Sequence, residues 1–342
     1  MGQSEAMKAA NFAVARSEVD GIAVVHLSDI ARRAEAVIAP SIGNMAYRFR
    51  VAGEDVLWFP YTSPAELRDK PVLCGIPFLA PWANRLDGDA YWGNGKHYVL
   101  NSKLGNIRRD AHQQPIHGLL NFSPYWEPTE HGADEVSAWT ISRLEFTRHP
   151  DLMAQFPFAH SLTMTHRLTA AGLEVETAIE NRSAEPLPVA VGYHPYLRLP
   201  GVARDEWRVH LAARDHLVLN EMVIPTGERH PVESSDPFAL KGAVLDDVFA
   251  NLIRDSDGRA RFWVEGGGGR RVTVTYGPKY TIAIAYAPAG KDFICFEPMS
   301  AVTNAFNLAQ AGLYTELQTV APGETWRESF WLSYTITAAS AK

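Results

Sequence analysis

Glu297 stands in FICFEPMSAVTNAFN, where it interrupts a strongly apolar run just before Pro298. A carboxylate at such a point is costly unless it is paired or hydrogen-bonded. Burial would raise its pKa toward the range useful to a general base. A strand-end Glu facing solvent is the alternative. His194, in VGYHPYLRL, is followed by Pro195, which biases its backbone to an extended or turn conformation. Tyr193 and Tyr196 flank it, and aromatic faces suit stacking on sugar rings. His117, in PIHGLLN, reads either as a satisfied core histidine or as a proton-transfer group. Asn84 and Arg85 end the stretch GIPFLAPWANRL, whose two prolines bar it from a central strand. They read as a rigid loop offering polar groups to a ligand, or as a coil over the core. The acidic pair Asp246-Asp247, in LDDVF, reads most simply as a solvated corner. A base and an acid able to exchange protons near neutral pH are what acid–base chemistry requires.

The elements that carry these residues follow a period of two. HSLTMTHRL and LEVETAIEN alternate on either side of Ala170-Ala171-Gly172, which predicts a hairpin. ISRLEF, RFWVE, RVTVTY, YTIAIAY and FWLSYTIT repeat the alternation, and 25 Gly and 22 Pro punctuate the chain. Short strands with frequent turns predict an all-β sandwich or barrel. Two short helices are expected, over PAELRD and within 301–310. Gly266–Gly269 and Asp255–Gly258 read as turns, and 202–243, with Pro225, Pro231 and Pro237, as long loops where specificity could lie. No linker divides the chain, so residues 1–342 are expected to form one domain.

The 342 residues carry a net charge of -7 and are 46% hydrophobic. The mild acidity argues against nucleic acid as a partner. The N-terminal stretch is charged throughout and lacks the apolar segment of a secretory signal. No run approaches the ~20 apolar residues of a membrane span. A cytoplasmic protein with no membrane partner is expected. Cys74 and Cys295 lie in apolar runs without a nearby partner and read as buried thiols. His117 and His194 lack further ligands at a recognisable metal spacing, so no metal is expected.

PWANRL, IHGLL, GYHPYLRL, LDDVF and FEPMSAVTNAFN, in this order, together with the closing LQTVAPGETWRESFWL, resemble the aldose 1-epimerase (galactose mutarotase-like) family. The resemblance implies a large antiparallel β-sandwich, often called a supersandwich, with a sugar-binding cleft and no cofactor. It implies an isomerase of carbohydrate, and specifically hexose, metabolism, whose partner is a small-molecule sugar. It further implies that Glu297 is the catalytic base, that His194 and His117 flank the ring oxygen and anomeric carbon, and that Arg85, with Asn84 beside it, binds hydroxyls. Asp246 would hold hydroxyls across the ring; it is preferred to Asp247 because the family's aspartate lies three residues before an aromatic, here Phe249. Leu119 stands where many members have a second Gly, and Tyr193-His194-Pro195 replaces a frequent Asn-His, as in a more distant branch.

Three other readings share these residues. A hexose-phosphate epimerase would need a cationic cluster such as Arg85 with Arg108-Arg109. A sugar-binding module would use the same fold without catalysis. A glycoside hydrolase or lyase would use Asp246 and Glu297 as paired carboxylates, about 5–9.5 Å apart for hydrolysis. The sequence specifies neither which sugar nor an oligomeric state.

Overall fold

The computed structural model describes residues 11–233 and 235–337. It is an all-β sandwich in which every paired strand is antiparallel to its neighbour. A nine-stranded sheet runs from Phe238–Ala239 at one edge, through Arg270–Tyr276, Thr325–Ile336, Gly172–Asn181 and His160–Thr169, to Glu127–Ala133 at the other. An eight-stranded sheet runs from Pro225–Pro231 through Ala213–Leu219, Leu245–Leu252, Ile282–Ala287 and Ile294–Met299 to Phe78–Leu79. A five-stranded sheet is built from 12–55.

The alternation seen in the sequence is what builds these layers. In Gly172–Asn181 the residues Leu173, Val175 and Ile179 are buried, while Glu174, Glu176 and Glu180 face outward. The expected hairpin forms, with Thr169 opposite Gly172 across a two-residue turn. Between the large sheets, Phe262 packs on Tyr276 and lies 6.1 Å from Phe296, and Tyr193 lies 4.7 Å from Phe330. These rings define the inner face of the eight-stranded sheet. Both cysteines are buried and free. The short helices form at Pro64–Asp69 and Ala305–Gln310. No helix among the described residues is long and apolar enough to cross a membrane.

Residues 202–243 are a correction to the sequence reading. They contain the strands Arg208–His210, Ala213–Leu219, Pro225–Pro231 and Phe238–Ala239, not simply loops. Pro225 and Pro231 are tolerated because Pro225–Pro231 is an edge strand, where only part of the N–H groups face a neighbour; Pro237 lies just outside the edge strand Phe238–Ala239.

Candidate active site

Three neighbouring strands set one wall. Asp246 sits opposite Tyr286, Tyr286 opposite Cys295, and Ile284 opposite Glu297. Residues directly opposite share a face, and so do residues two apart. Asp246, Ile284, Tyr286 and Glu297 are therefore on one face, the one turned away from Phe296 and the core. Tyr196, opposite Cys295, joins them. Asp247 is one residue out of phase: it sits opposite Ala285, which sits opposite Phe296. On that other face it pairs with His216 Nε2 at 2.9 Å. The same alternation separates Tyr193, buried at the Thr177 hydroxyl, from His194, which turns outward.

Two loop segments form the opposite wall. The chain at Asn84–Leu86 runs beside Pro115–His117: His117 N–H donates to Asn84 O (2.8 Å) and Leu86 N–H to Pro115 O (2.9 Å). Asn121 Nδ2 donates to His117 O (3.1 Å) and Phe78 O (2.9 Å). His117 adopts φ 64 and Gly118 φ +66. A Cβ on Gly118 would meet Ala80 O at 2.1 Å, which explains the His-Gly pair. Asn304 braces the Arg85 loop from the far end of the chain. Its N–H donates to Arg85 O (2.9 Å) and its Oδ1 accepts from Asp87 N–H (3.0 Å). The asparagines of SAVTNAFN thus support the site as scaffolding.

Between the walls lies a cavity of about 340 Å³. Asn84, Arg85, His117, His194, Asp246 and Glu297 all line it. His194 Nε2 lies 3.2 Å from Glu297 Oε1, and the His117 and His194 rings stand edge to face, 5.5 Å apart. Tyr196 stacks on His194 at 4.5 Å with an interplanar angle of 4°. Arg85 Nε donates to Asp110 Oδ2 at 2.6 Å, and Asp110 Oδ1 accepts from Gln114 N–H and His112 N–H, at 2.9 Å each.

Not every candidate residue lines the cavity. Tyr193 is core, not cavity. Arg109 is turned away onto Asp89 (2.8 and 2.9 Å), leaving Arg108 to line the cavity alone of that pair. None of the described residues of 202–243 lines it. Trp58, Tyr286 and Lys291 do, although the sequence did not mark them, and so does Phe293, which opens the stretch carrying Glu297. Trp58 lies 5.8 Å from Tyr196 and 4.7 Å from Phe293, closing an aromatic side to the cavity. Tyr286 carried one readable signal, its alternation in YTIAIAY, but only the strand register brings it opposite Asp246.

Burial dominates the electrostatics. It pushes the Glu297 carboxyl well above the usual range, helped by Asp246 and opposed by Arg85. It pushes His194 well below the usual imidazole value, opposed by the influence of its own backbone and helped by Arg108. His117 is lowered first by burial, then by His194, Arg108 and Arg85. Asp246, although accessible, has its carboxyl raised by the enclosing walls; Arg85 opposes this and Asp247 adds to it. Glu297 Oε2, His117 Nδ1 and His194 Nδ1 are buried without a hydrogen-bond partner among the described residues. All three belong to residues that line the cavity. Among the described residues, no group of three or more His, Cys, Asp or Glu is placed to share a metal ion.

The comparisons with known proteins agree with this architecture. An Escherichia coli K12 protein of uncharacterized function, YphB, is 26% identical over 257 residues, covering 72% of this chain and 79% of its own. A galactose mutarotase-like protein from Clostridium acetobutylicum superposes with a TM-score of 0.85 at 20% identity, over 96% of this chain and 99% of that one. Galactose 1-epimerase from Lactobacillus acidophilus superposes with a TM-score of 0.71 at 15% identity, over 96% and 99%. These two show a shared fold. The aldose 1-epimerase family model matches residues 30–333. The chain therefore belongs to the aldose 1-epimerase family.

Proposed function

We propose that this protein interconverts the α and β anomers of a free aldose. The observation that carries the reading is the buried contact of His194 with Glu297, their proton affinities shifted in opposite directions, inside a cavity also lined by Asn84, Arg85 and Asp246. Such a pair holds one proton between them. With the proton on His194 and the sugar ring closed, Glu297 removes the proton from the C1 hydroxyl while His194 protonates the ring oxygen. The C1–O5 bond breaks and the aldehyde forms. The pair is then Glu297 carboxylic acid and neutral His194, the distribution that burial favours. Rotation about C1–C2 presents the other face of the carbonyl. As O5 attacks C1, His194 takes the O5 proton and Glu297 returns one to O1. The cycle consumes neither electrons nor net protons.

The remaining groups orient the ring. Arg85 is held by Asp110 through Nε, its other nitrogens have no partner among the described residues and can donate to sugar hydroxyls, and Asn84 adds a polar group beside it. Asp246 accepts from hydroxyls across the cavity. His117, kept neutral, shares contact with the developing charge at the ring oxygen.

A phosphorylated hexose is the second reading. Arg108 and Lys291 both line the cavity with exposed side chains, and neither has a carboxylate at ion-pairing distance among the described residues. Polarimetry on freshly dissolved α-glucose, α-galactose and glucose 6-phosphate tests both. Faster exchange of a free sugar supports the first reading, and exchange of the phosphate alone supports the second. Saturable sugar binding with no faster exchange would overturn both.

A further inference from the structure

We propose that the substrate cavity continues into a second sugar subsite, and that the preferred substrate is a reducing disaccharide. The ring bearing the free anomeric carbon would fill the first cavity and the other ring the second. The inference rests on the anomer-exchange reading above.

The second cavity has a volume of about 460 Å³, and Arg108 lines both. Each volume lies within the ~300–1,000 Å³ of small-molecule sites. The walls are continuous in sequence as well as in space. Pro71 lines the second cavity and Val72 the first, and Gly118 the second and His117 the first. Phe122, in the second cavity, packs on the cluster of Leu73, Tyr196 and Phe293, all of which line the first.

The chemistry of the second cavity suits a sugar ring better than a charged substituent. Leu119, Phe122 and Leu152 offer apolar surface to C–H faces. Asp151 supplies a hydroxyl acceptor; one of its oxygens takes the Tyr125 hydroxyl at 3.3 Å. Tyr125 is itself held by stacking on His149 at 3.8 Å and 12°. A phosphate would meet the Asp151 carboxylate in a space far larger than itself. Arg85 and Arg109 are tied to Asp110 and Asp89, but Arg108 has no carboxylate at ion-pairing distance among the described residues. Its guanidinium stands at the junction, where it can donate to hydroxyls of both rings.

The test compares anomer exchange of glucose with that of maltose, lactose, melibiose and gentiobiose, all carrying glucose at the reducing end. At least one disaccharide is expected to exceed glucose in kcat/KM by about tenfold, the equivalent of ~1.4 kcal/mol. In Asp151→Ala the ratio of that disaccharide to glucose is expected to fall toward one; a ratio is insensitive to the fraction of protein folded. Acceleration of glucose with no disaccharide above it would overturn the second subsite and leave the anomer-exchange reading standing. An unchanged ratio in the variant would also overturn it. Acceleration of none of the five sugars would instead count against the anomer-exchange reading itself.

Discussion

Nε2 of His194 lies 3.2 Å from Oε1 of Glu297, and burial drives the imidazole's proton affinity down and the carboxyl's up. The two shifts favour a neutral pair that keeps one proton. Replacing the carboxyl by an amide removes the base and retains the shape. Glu297→Gln is therefore expected to lower anomer exchange by ~10²–10⁴-fold, the usual worth of a positioned proton transfer. Circular dichroism and Tm should stay close to those of the parent. Exchange at the parent rate would remove Glu297 from the mechanism.

The shared proton also sets the pH profile. A second proton must go onto His194, whose folded value lies well below the ordinary 6.5. The pair loses its only proton above the ordinary carboxylate range, because Glu297 is raised. The profile of kcat/KM, which reports the free enzyme, should thus stay flat as pH falls through 6.5. Rates corrected for spontaneous exchange between pH 4 and 9 would test this. An acid limb centred near 6.5 would mean that an exposed histidine carries the proton.

How much of this was legible beforehand depends on what each residue announces locally. Glu297 announces itself because it breaks an apolar run, and His117 because a following glycine permits the tight approach to Ala80. The choice of Asp246 over Asp247 rested on a family pattern; the strand register puts Asp246 on the cavity face and Asp247 on the opposite one. That Trp58, Tyr286 and Phe293 share one cavity could not be read, because they meet only through pairings between distant segments. The edge strands in 202–243 were hidden because proline argues against a strand only where the N–H is needed. Asp110 was lost among the charges of RRDAHQQ, although its carboxylate pairs with Arg85.

Asp110 is a positioning residue for Arg85. Its carboxylate takes the Arg85 Nε at 2.6 Å and two backbone N–H groups. Burial raises its pKa, but the bonds from Arg85, Gln114 and His112 and the Arg85 charge outweigh this and leave it below the ordinary value. In Asp110→Asn the charge-assisted bond is weakened. KM should rise about three- to tenfold with a smaller change in kcat, since the proton-transfer pair is untouched. A fall in kcat alone would contradict a positioning role.

Gly118 couples sterics to the site. An added methyl at its Cβ position would sit 2.1 Å from Ala80 O on a backbone with φ +66. Gly201 shares a positive φ of +70 but has nothing among the described residues within 4 Å of that position. Gly201→Ala should cost only the left-handed strain, ~1–2 kcal/mol. Gly118→Ala should cost more and displace His117, lowering both Tm and activity. Equal Tm losses in the two variants would show that the Ala80 contact is easily relieved.

Histidines outside the cavity make stability depend on pH. Burial lowers His166 to about 3; burial also lowers His160 to about 4, against the hydrogen bond that its Nδ1–H donates to Phe158 O, which raises it. Because their folded values are depressed below the unfolded ~6.5, the unfolded chain binds protons that the folded chain refuses. Their stabilisation is present above pH 6.5 and is lost as pH falls toward 4 and 3. Each is expected to remove about 1–2 kcal/mol between pH 7 and 5. His166 has no partner for Nδ1 among the described residues, so His166→Leu removes the titration without breaking a bond to that atom. Urea unfolding of parent and variant at pH 7 and 5 should show the variant losing less stability on acidification. Equal losses would place the proton uptake elsewhere.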